Sequence, residues 1–338
     1  MNQSITEMNY LENPVFICGH RKTGTTMLVN LFDGNDDAMV YPDDSTFFYM
    51  YYPRYESEKY TDEERLERLG GVIVNEVLSS VIDRTNCSDE EKNILHKKRN
   101  ILYNKVKEFK GEDYSISNLL PFYIEAFRSS FYPEISPKIW IEKTTSTEIY
   151  ALELSKIFPN AKFIHILRDP RDNWASLSSG WEKRYKHYND ELNRLKHSMI
   201  ERGKLGMRMA KDNLETIGKE RYRVIKFEDI TSNPVTALKN LCNFIGITFD
   251  EDMLTPSTFG YKWKGNNFEG VKHDEPSTIN VNRWKERISD EDAKLIEFHF
   301  RNIMKHFGYK TEHSVEEQQE AAAKHYKWYN FSTPYSAK

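Results

Sequence analysis

The sequence predicts an α/β fold, with a central parallel sheet of about five strands flanked by helices and a helical insertion. Three observations carry this. Short apolar runs of β type recur along the chain, they are continuous where a half-exposed strand would alternate, and helix-favouring stretches separate them.

The runs are residues 15–18, 38–41, 139–141, 162–167 and 223–227. Between and after them, helices are expected over 25–32, 147–158, 170–178, 182–219 and 234–245. Asp169 before Pro170 and Asn233 before Pro234 each place a capping side chain ahead of a proline at the first helical position. Ser289 opens a further helix over 293–307, and Gly308 stops it. Residues 54–137 are charged and helix-favouring, broken by Gly70-Gly71 and a polar loop over 111–118, and read as an insertion after the second strand. The segment 316–324 is helix-prone, while 326–338 is aromatic and polar with a proline. With no internal repeat and no linker, residues 1–338 read as a single domain, and the insertion is expected to help form a substrate site.

Composition sets limits on partners. The 338 residues carry 48 basic and 52 acidic side chains, a net charge of −4, so nothing pulls the whole chain toward nucleic acid or anionic lipid. The longest apolar runs fall far short of the ~20 residues a membrane span needs. Residues 1–13 lack the basic start and apolar stretch of a secretory signal, so a cytoplasmic location is expected. Cys18, Cys87 and Cys242 are widely spaced, with no CxxC pair and no nearby histidine, and read as ordinary thiols. No metal site is expected.

After the first strand comes Gly19-His20-Arg21-Lys22-Thr23-Gly24-Thr25-Thr26, then the apolar helix 27–32. Strand, glycine-bearing turn and helix form a phosphate cradle, because backbone N–H groups and the helix N-terminus converge on an anion. The spacing is like that of a nucleotide P-loop, which makes the expected architecture a P-loop-like three-layer fold. The lysine, however, lies inside the turn at Lys22, and Thr25 follows the second glycine. A lysine placed there suits metal-free transfer at a bridging oxygen.

Lys22-Thr23-Gly24-Thr25-Thr26 resembles the K-[ST]-G-T-T loop of sulfotransferases that use 3'-phosphoadenosine 5'-phosphosulfate (PAPS). The resemblance implies that Arg21 through Thr26 bind the 5'-phosphosulfate and that adenosine 3',5'-bisphosphate (PAP) is the product. It also implies a second anion site for the 3'-phosphate, an arginine at a strand end with a serine eight positions on. Arg168 and Ser176 stand at that spacing. Arginine offers a planar, permanently charged fork, and serine adds a hydroxyl without charge. Arg168 has the alternative of pairing with Asp169 or Asp172, and Arg171 is either a second phosphate contact or a solvated helix residue.

Farther on, Lys264-Gly265-Asn266-Asn267 and residues 277–286 are similar to a late loop that closes over the cofactor in many bacterial members. This implies phosphate contacts from Arg283 and Lys285 and a packing role for Trp284. His273 lies in the same loop, where it is a candidate for touching substrate.

Sulfuryl transfer needs a base for the acceptor and a cation for the leaving oxygen. In Asp43-Asp44-Ser45-Thr46-Phe47-Phe48, Asp44 takes the position of the glutamate base of heparan sulfate sulfotransferases, one methylene shorter. Glu142 in Glu142-Lys143-Thr144 is the reserve base or the partner of Lys143, and Lys143 is a helper of Lys22. Cytosolic members use a histidine where this chain has Thr145, which disfavours that chemistry; His165, inside an apolar strand, reads as core. Phe47, Phe48, Tyr49, Tyr51, Tyr52 and Tyr55 either border the acceptor cleft or belong to the core.

The resemblance therefore implies a PAPS-dependent sulfotransferase acting on a hydroxyl or amine of a small-molecule or carbohydrate acceptor. An aromatic or, given Asp43 and Asp44, a cationic acceptor is a further expectation. The rivals are a P-loop kinase using ATP and magnesium, and a nucleotide-binding protein without catalysis.

Overall fold

The computed structural model describes residues 9–45, 47–50, 60–109, 113–186, 192–265 and 275–332. The strands β1 (Pro14–Cys18), β2 (Ala38–Asp44), β3 (Ile139–Lys143), β4 (Lys162–Leu167) and β5 (Tyr222–Lys226) form one parallel sheet in the order β2-β3-β1-β4-β5. The expected α/β class with a parallel sheet is what the chain adopts.

The continuous apolar runs are explained by what covers each face. Phe16, Met39, Tyr41, Trp140 and Phe163 point into one core cluster, while Val15, Ile17, Val40, Ile141, Ile164 and Ile166 point into another on the opposite side. Successive residues of a strand face opposite ways, so a sheet covered on both sides needs apolar residues at every position. One side is covered by α1 (Thr25–Phe32) and, farther along, by the helix 234–245; the other is covered largely by the insertion.

That insertion comprises α2 (Asp62–Arg68), a π turn (Leu69–Ile73), α3 (Val74–Asp83), α4 (Asp89–Lys107) and α5 (Ile116–Phe131). Thr61 and Ser88 begin α2 and α4 with reciprocal capping boxes. Leu78, Leu102, Tyr123 and Phe127 join the same cluster as Phe16 and Tyr41, so the insertion supplies core for the sheet. The remaining helices are α6 (Ala151–Ile157), α7 (Pro170–Ser178), α8 (Leu192–Ile217), α9 (Phe227–Ser232), α10 (Pro234–Ile245), α11 (Trp284–Arg287), α12 (Asp290–His306) and α13 (Val315–Ser332). A hairpin of β6 (Ser257–Thr258) and β7 (Tyr261–Lys262) is followed by a single bridge from Trp263 to Thr85, at the end of α3. Among the described residues no helix is long and apolar enough to cross a membrane.

Several boundaries differ from the sequence pattern. β2 runs past Pro42 to Asp44, with its register shifted between Val40 and Asp44; an edge strand tolerates a residue without an N–H. The stretch expected as one helix over 182–219 is a π turn (Trp181–Tyr185) and then α8, and residues 187–191 lie outside the described ones. Asn233 makes no side-chain cap; its N–H closes α9 instead, whereas Asp169 accepts from Arg171 N–H as expected. Ser289 caps α12 through the Asp292 N–H, so that helix starts at Asp290.

The strand register aligns Ile17 with Lys143, and Cys18 with His165, so the loops that leave β1, β3 and β4 emerge side by side. The next strand after β1 lies on one side of it and β4 on the other, which opens a crevice at the carboxyl ends.

Phe16 is fully buried between the rings of Trp140 (5.6 Å) and Phe163 (5.4 Å) at the centre of the sheet. Phe16→Ala should lower unfolding free energy by roughly 3–5 kcal/mol. Equilibrium urea unfolding checks this, with the midpoint moving and the slope unchanged.

Candidate active site

The turn after β1 is shaped by backbone conformation. Gly19 (φ 146°) and Gly24 (φ 107°) occupy the positive-φ region, and so does Lys22 at φ 67°. A Cβ on Gly24 would stand 2.6 Å from the Phe227 ring, so this position needs glycine for space as well as for conformation. Thr23 Oγ1 donates to the His20 carbonyl at 2.7 Å and closes the turn. The α1 ladder starts with Leu28 N–H donating to Gly24 carbonyl, so the amides of Thr25, Thr26 and Met27 precede it, as donors for an anion.

Arg168, at the end of β4, approaches the same turn. Its Nη1 donates to the Lys22 carbonyl at 3.0 Å and its Nη2 to the Asn280 carbonyl at 2.7 Å, while the guanidinium lies 4.6 Å from the Phe227 ring centre. Its Nε is buried without a partner, and among the described residues it makes no ion pair. Burial pushes its pKa down, against the pull of Asp172, Glu228 and Asp169, whose charges favour the cation through space without pairing with it directly. The neighbouring acids are engaged elsewhere. Asp169 and Glu297 both pair with Arg171 at 2.6 Å, and Asp172 accepts the backbone N–H groups of Asn282 (2.7 Å) and Trp284 (2.8 Å).

These parts open onto one cleft. Lys22, Gly24, Thr25, Thr26, Arg168 and Ser176 line it, so the expected loop and the expected arginine–serine pair come together. Asn280, Gly265 and Ser277 line it from the expected late loop; Phe227, Trp263 and Arg287 also line it and went unrecognised in the sequence, where Arg287 had a signal as the fourth residue after Arg283 in a basic run. Other expected residues sit beside it. Arg21 donates to Ser198 Oγ at 3.0 Å, and Thr23 is buried in the turn. Arg283 pairs with Glu286 at 3.2 Å and Lys285 with Glu312 at 2.6 Å, and neither lines the cleft. Trp284 is buried against Ala175 and Ala293, with Arg171 stacked 4.2 Å from its ring. Arg171 is thus a buried structural ion pair, neither a phosphate contact nor a solvated residue. Asn266, Asn267 and His273 lie outside the described residues.

The carboxylate end is formed where β2 meets β3. Lys143 is buried, with its Nζ 3.0 Å from Asp44 Oδ2 and 3.5 Å from Asp43 Oδ1. Despite the cost of its own burial, Asp44 and Asp43 hold the Lys143 pKa above its ordinary value. Asp43 also accepts from Ser80 Oγ (2.9 Å) and Arg84 Nη1 (3.1 Å) of the insertion; against burial, Lys143 and Arg84 bring its pKa down to about 2. Asp44 accepts the Thr145 N–H at 2.8 Å. Thr26 and Trp263 line both the main cleft and a small cavity walled by Asp43, Ser80 and Arg84; Asp44, Glu142 and Lys143 line neither.

Glu142 is fully buried; its Oε1 accepts Ser45 Oγ and Thr144 Oγ1, both at 2.5 Å, and its Oε2 has no partner. Phe47 and Phe48 are fully buried too, so they belong to the core and do not border a cleft. The side chain of Tyr49, and residues Tyr51, Tyr52 and Tyr55, lie outside the described ones. His165 is core as expected, buried 2.7 Å from Tyr222 OH, with burial lowering its pKa to about 3.

A glycine-bearing turn after the first strand and a buried arginine without an ion pair after the fourth thus line one cleft of an α/β protein, with donors that suit an anion. The chain matches the model of the sulfotransferase family over residues 14–251, more than half its length, and belongs to that family. That membership is what the resemblance in its loops implies. Carbohydrate sulfotransferase 1 of Danio rerio is 22% identical over 182 residues, 47% of this chain and only 40% of that protein's length. Among solved structures, the chain is similar to the sulfotransferase domain of the Synechococcus PCC 7002 olefin synthase, at 19% identity and a TM-score of 0.55, over 88% of this chain and 95% of that one. The sulfotransferase domain from the curacin biosynthetic pathway gives 16% identity and a TM-score of 0.55, over 88% and 97%. At such identity the likeness shows the fold alone.

Burial raises the Glu142 carboxyl from an ordinary 4.5 to about 7. Between those values the native state keeps a proton that the unfolded chain has released. The stability this provides is complete below the lower value, falls as pH rises, and levels off above the higher one. The loss is on the order of 3 kcal/mol. Urea unfolding from pH 4 to 8 should show this fall in the wild type and a flatter profile in Glu142→Gln; parallel profiles would mean that the carboxyl ionises freely.

Proposed function

We propose that the chain transfers a sulfuryl group from PAPS to a hydroxyl or amine of a carbohydrate or other small acceptor, releasing PAP. The observation that carries this reading is Arg168, a buried cation with no ion pair among the described residues, opening onto the cleft that Lys22, Thr25, Thr26 and Ser176 also line. A nucleotide with phosphates at both 3' and 5' positions suits two cationic ends of one cleft. The orphan Nε of Arg168 and the glycine that leaves room at the turn fit such a group.

When bound, PAPS supplies the activated sulfuryl group. Arg168 and Ser176 take the 3'-phosphate, with Arg287 close by on the same cleft. Thr25, Thr26 and the first amides of α1 take the 5'-phosphate, and Lys22 offsets charge on the bridging oxygen as it leaves. Asp44 accepts the acceptor's proton while the bond from its oxygen or nitrogen to sulfur forms. The electron pair of the broken sulfur–oxygen bond stays with PAP. Asp44 is favoured over Glu142 because its side chain keeps 31% exposure, whereas Glu142 is sealed between two hydroxyls. Lys143 orients Asp44, while Arg21, Thr23, Arg283, Trp284 and Lys285 brace the segments around the cleft.

For the acceptor, the Danio rerio relative is named for carbohydrate, which favours a sugar hydroxyl. Asp43 and Asp44 are already matched by Lys143 and Arg84, which weighs against a cationic acceptor. Ser80 and Arg84 bring the insertion to this end of the site, as an acceptor-binding role for it requires.

Thermal unfolding tests the donor. PAP at ~100 times Kd, without magnesium, should raise the midpoint by several degrees in the wild type and not in Arg168→Ala. Stabilisation by ADP with magnesium in preference to PAP would replace this reading with a kinase. A second test addresses the base. Asp44→Asn should keep PAP affinity and lose at least ~100-fold in transfer of labelled sulfate from PAPS to a panel of neutral sugars and phenols. Unchanged transfer would move the base elsewhere, and PAP binding with no transfer by the wild type to any acceptor would leave a binding protein.

A further inference from the structure

Asn173 lies on α7, three residues before Ser176 and so on the same side of the helix. It is buried, it does not line the cleft, and both ends of its amide reach the turn after β1. Its Nδ2 donates to the Arg21 carbonyl at 2.8 Å, and its Oδ1 lies 3.0 Å from His20 Nδ1. An amide oxygen only accepts, so the imidazole donates from Nδ1; the ring is fully enclosed and burial lowers its pKa to about 3, which keeps it neutral. The amide orientation and the histidine tautomer therefore fix each other. Arg168 holds the next residue through the Lys22 carbonyl, so consecutive turn residues 20, 21 and 22 are each held by a side chain from the segment that follows β4.

The turn needs such support. Lys22 sits at φ 67°, a region unfavourable for a residue with a side chain, and the bonds from Thr23 to the His20 carbonyl span that residue. We propose that Asn173 is a positioning residue for the 5'-phosphate: it touches no part of the donor, and acts by holding residues 20–22 in the shape that presents Lys22 and the α1 amides. Through it, the helix that carries Ser176 also sets the geometry of the opposite phosphate site. This rests on the reading of the cleft as a PAPS site.

Calorimetric affinities for PAP, adenosine 5'-phosphate and adenosine 3'-phosphate separate the possibilities. In Asn173→Ala, PAP and adenosine 5'-phosphate should each bind about tenfold more weakly, the worth of a buried hydrogen bond, while adenosine 3'-phosphate keeps its affinity within about twofold. Asn173→Asp, which keeps the volume and the acceptor facing His20 but loses the donor to Arg21, should show the same selective loss. It serves as the test if the alanine variant does not fold. Equal weakening of all three ligands, or of none, overturns the positioning role. A wild type that binds PAP no better than either monophosphate overturns the donor reading, and this inference with it.

Discussion

A single buried guanidinium organises this site. Arg168 spends two donors on carbonyls, one in the turn after β1 and one at Asn280, and no acid among the described residues pairs with it. A cation so placed is costly to bury; Asp172, Glu228 and Asp169 offset part of that cost through space, while Asp169 makes its direct ion pair with Arg171 and Asp172 accepts from the backbone of Asn282 and Trp284. The guanidinium thus lines the cleft without an ion pair, and two segments that frame the cleft are tied to the same side chain.

The opposite end of the site follows the contrary rule. There every charge is matched: Lys143 between Asp43 and Asp44, Asp43 also with Arg84. One end holds a cation without a direct ion pair; the other is a neutral cluster in which one carboxylate stays partly open. Such a division suits a nucleotide donor held by charge and an acceptor held by shape and hydrogen bonds.

The fold was legible because burial on both faces leaves a mark at every strand position, as in residues 14–18 and 162–167. The phosphate turn and the Arg168–Ser176 spacing were legible because they lie in continuous sequence next to strand ends. Arg283 and Lys285 could not be told from Arg287 by spacing, since a short helix decides which of them reaches the cleft and which pairs with Glu286 or Glu312. Glu142 and Asp44 looked alike in sequence. Strand alternation and two nearby hydroxyls bury the first, and a shifted register at the sheet edge exposes the second. Phe47 and Phe48 went inward because the insertion supplies a second wall, which depends on chain far from the motif.

The irregularity in β2 has a bearing beyond the site. β2 is an edge of the sheet, and an edge with a full row of free N–H and C=O groups invites pairing with another chain. Pro42 brings no N–H donor to the strand and the shift between Val40 and Asp44 breaks its rhythm, which disfavours a regular ladder with a strand from a second molecule. The distortion that exposes Asp44 also guards the molecule against edge-to-edge aggregation.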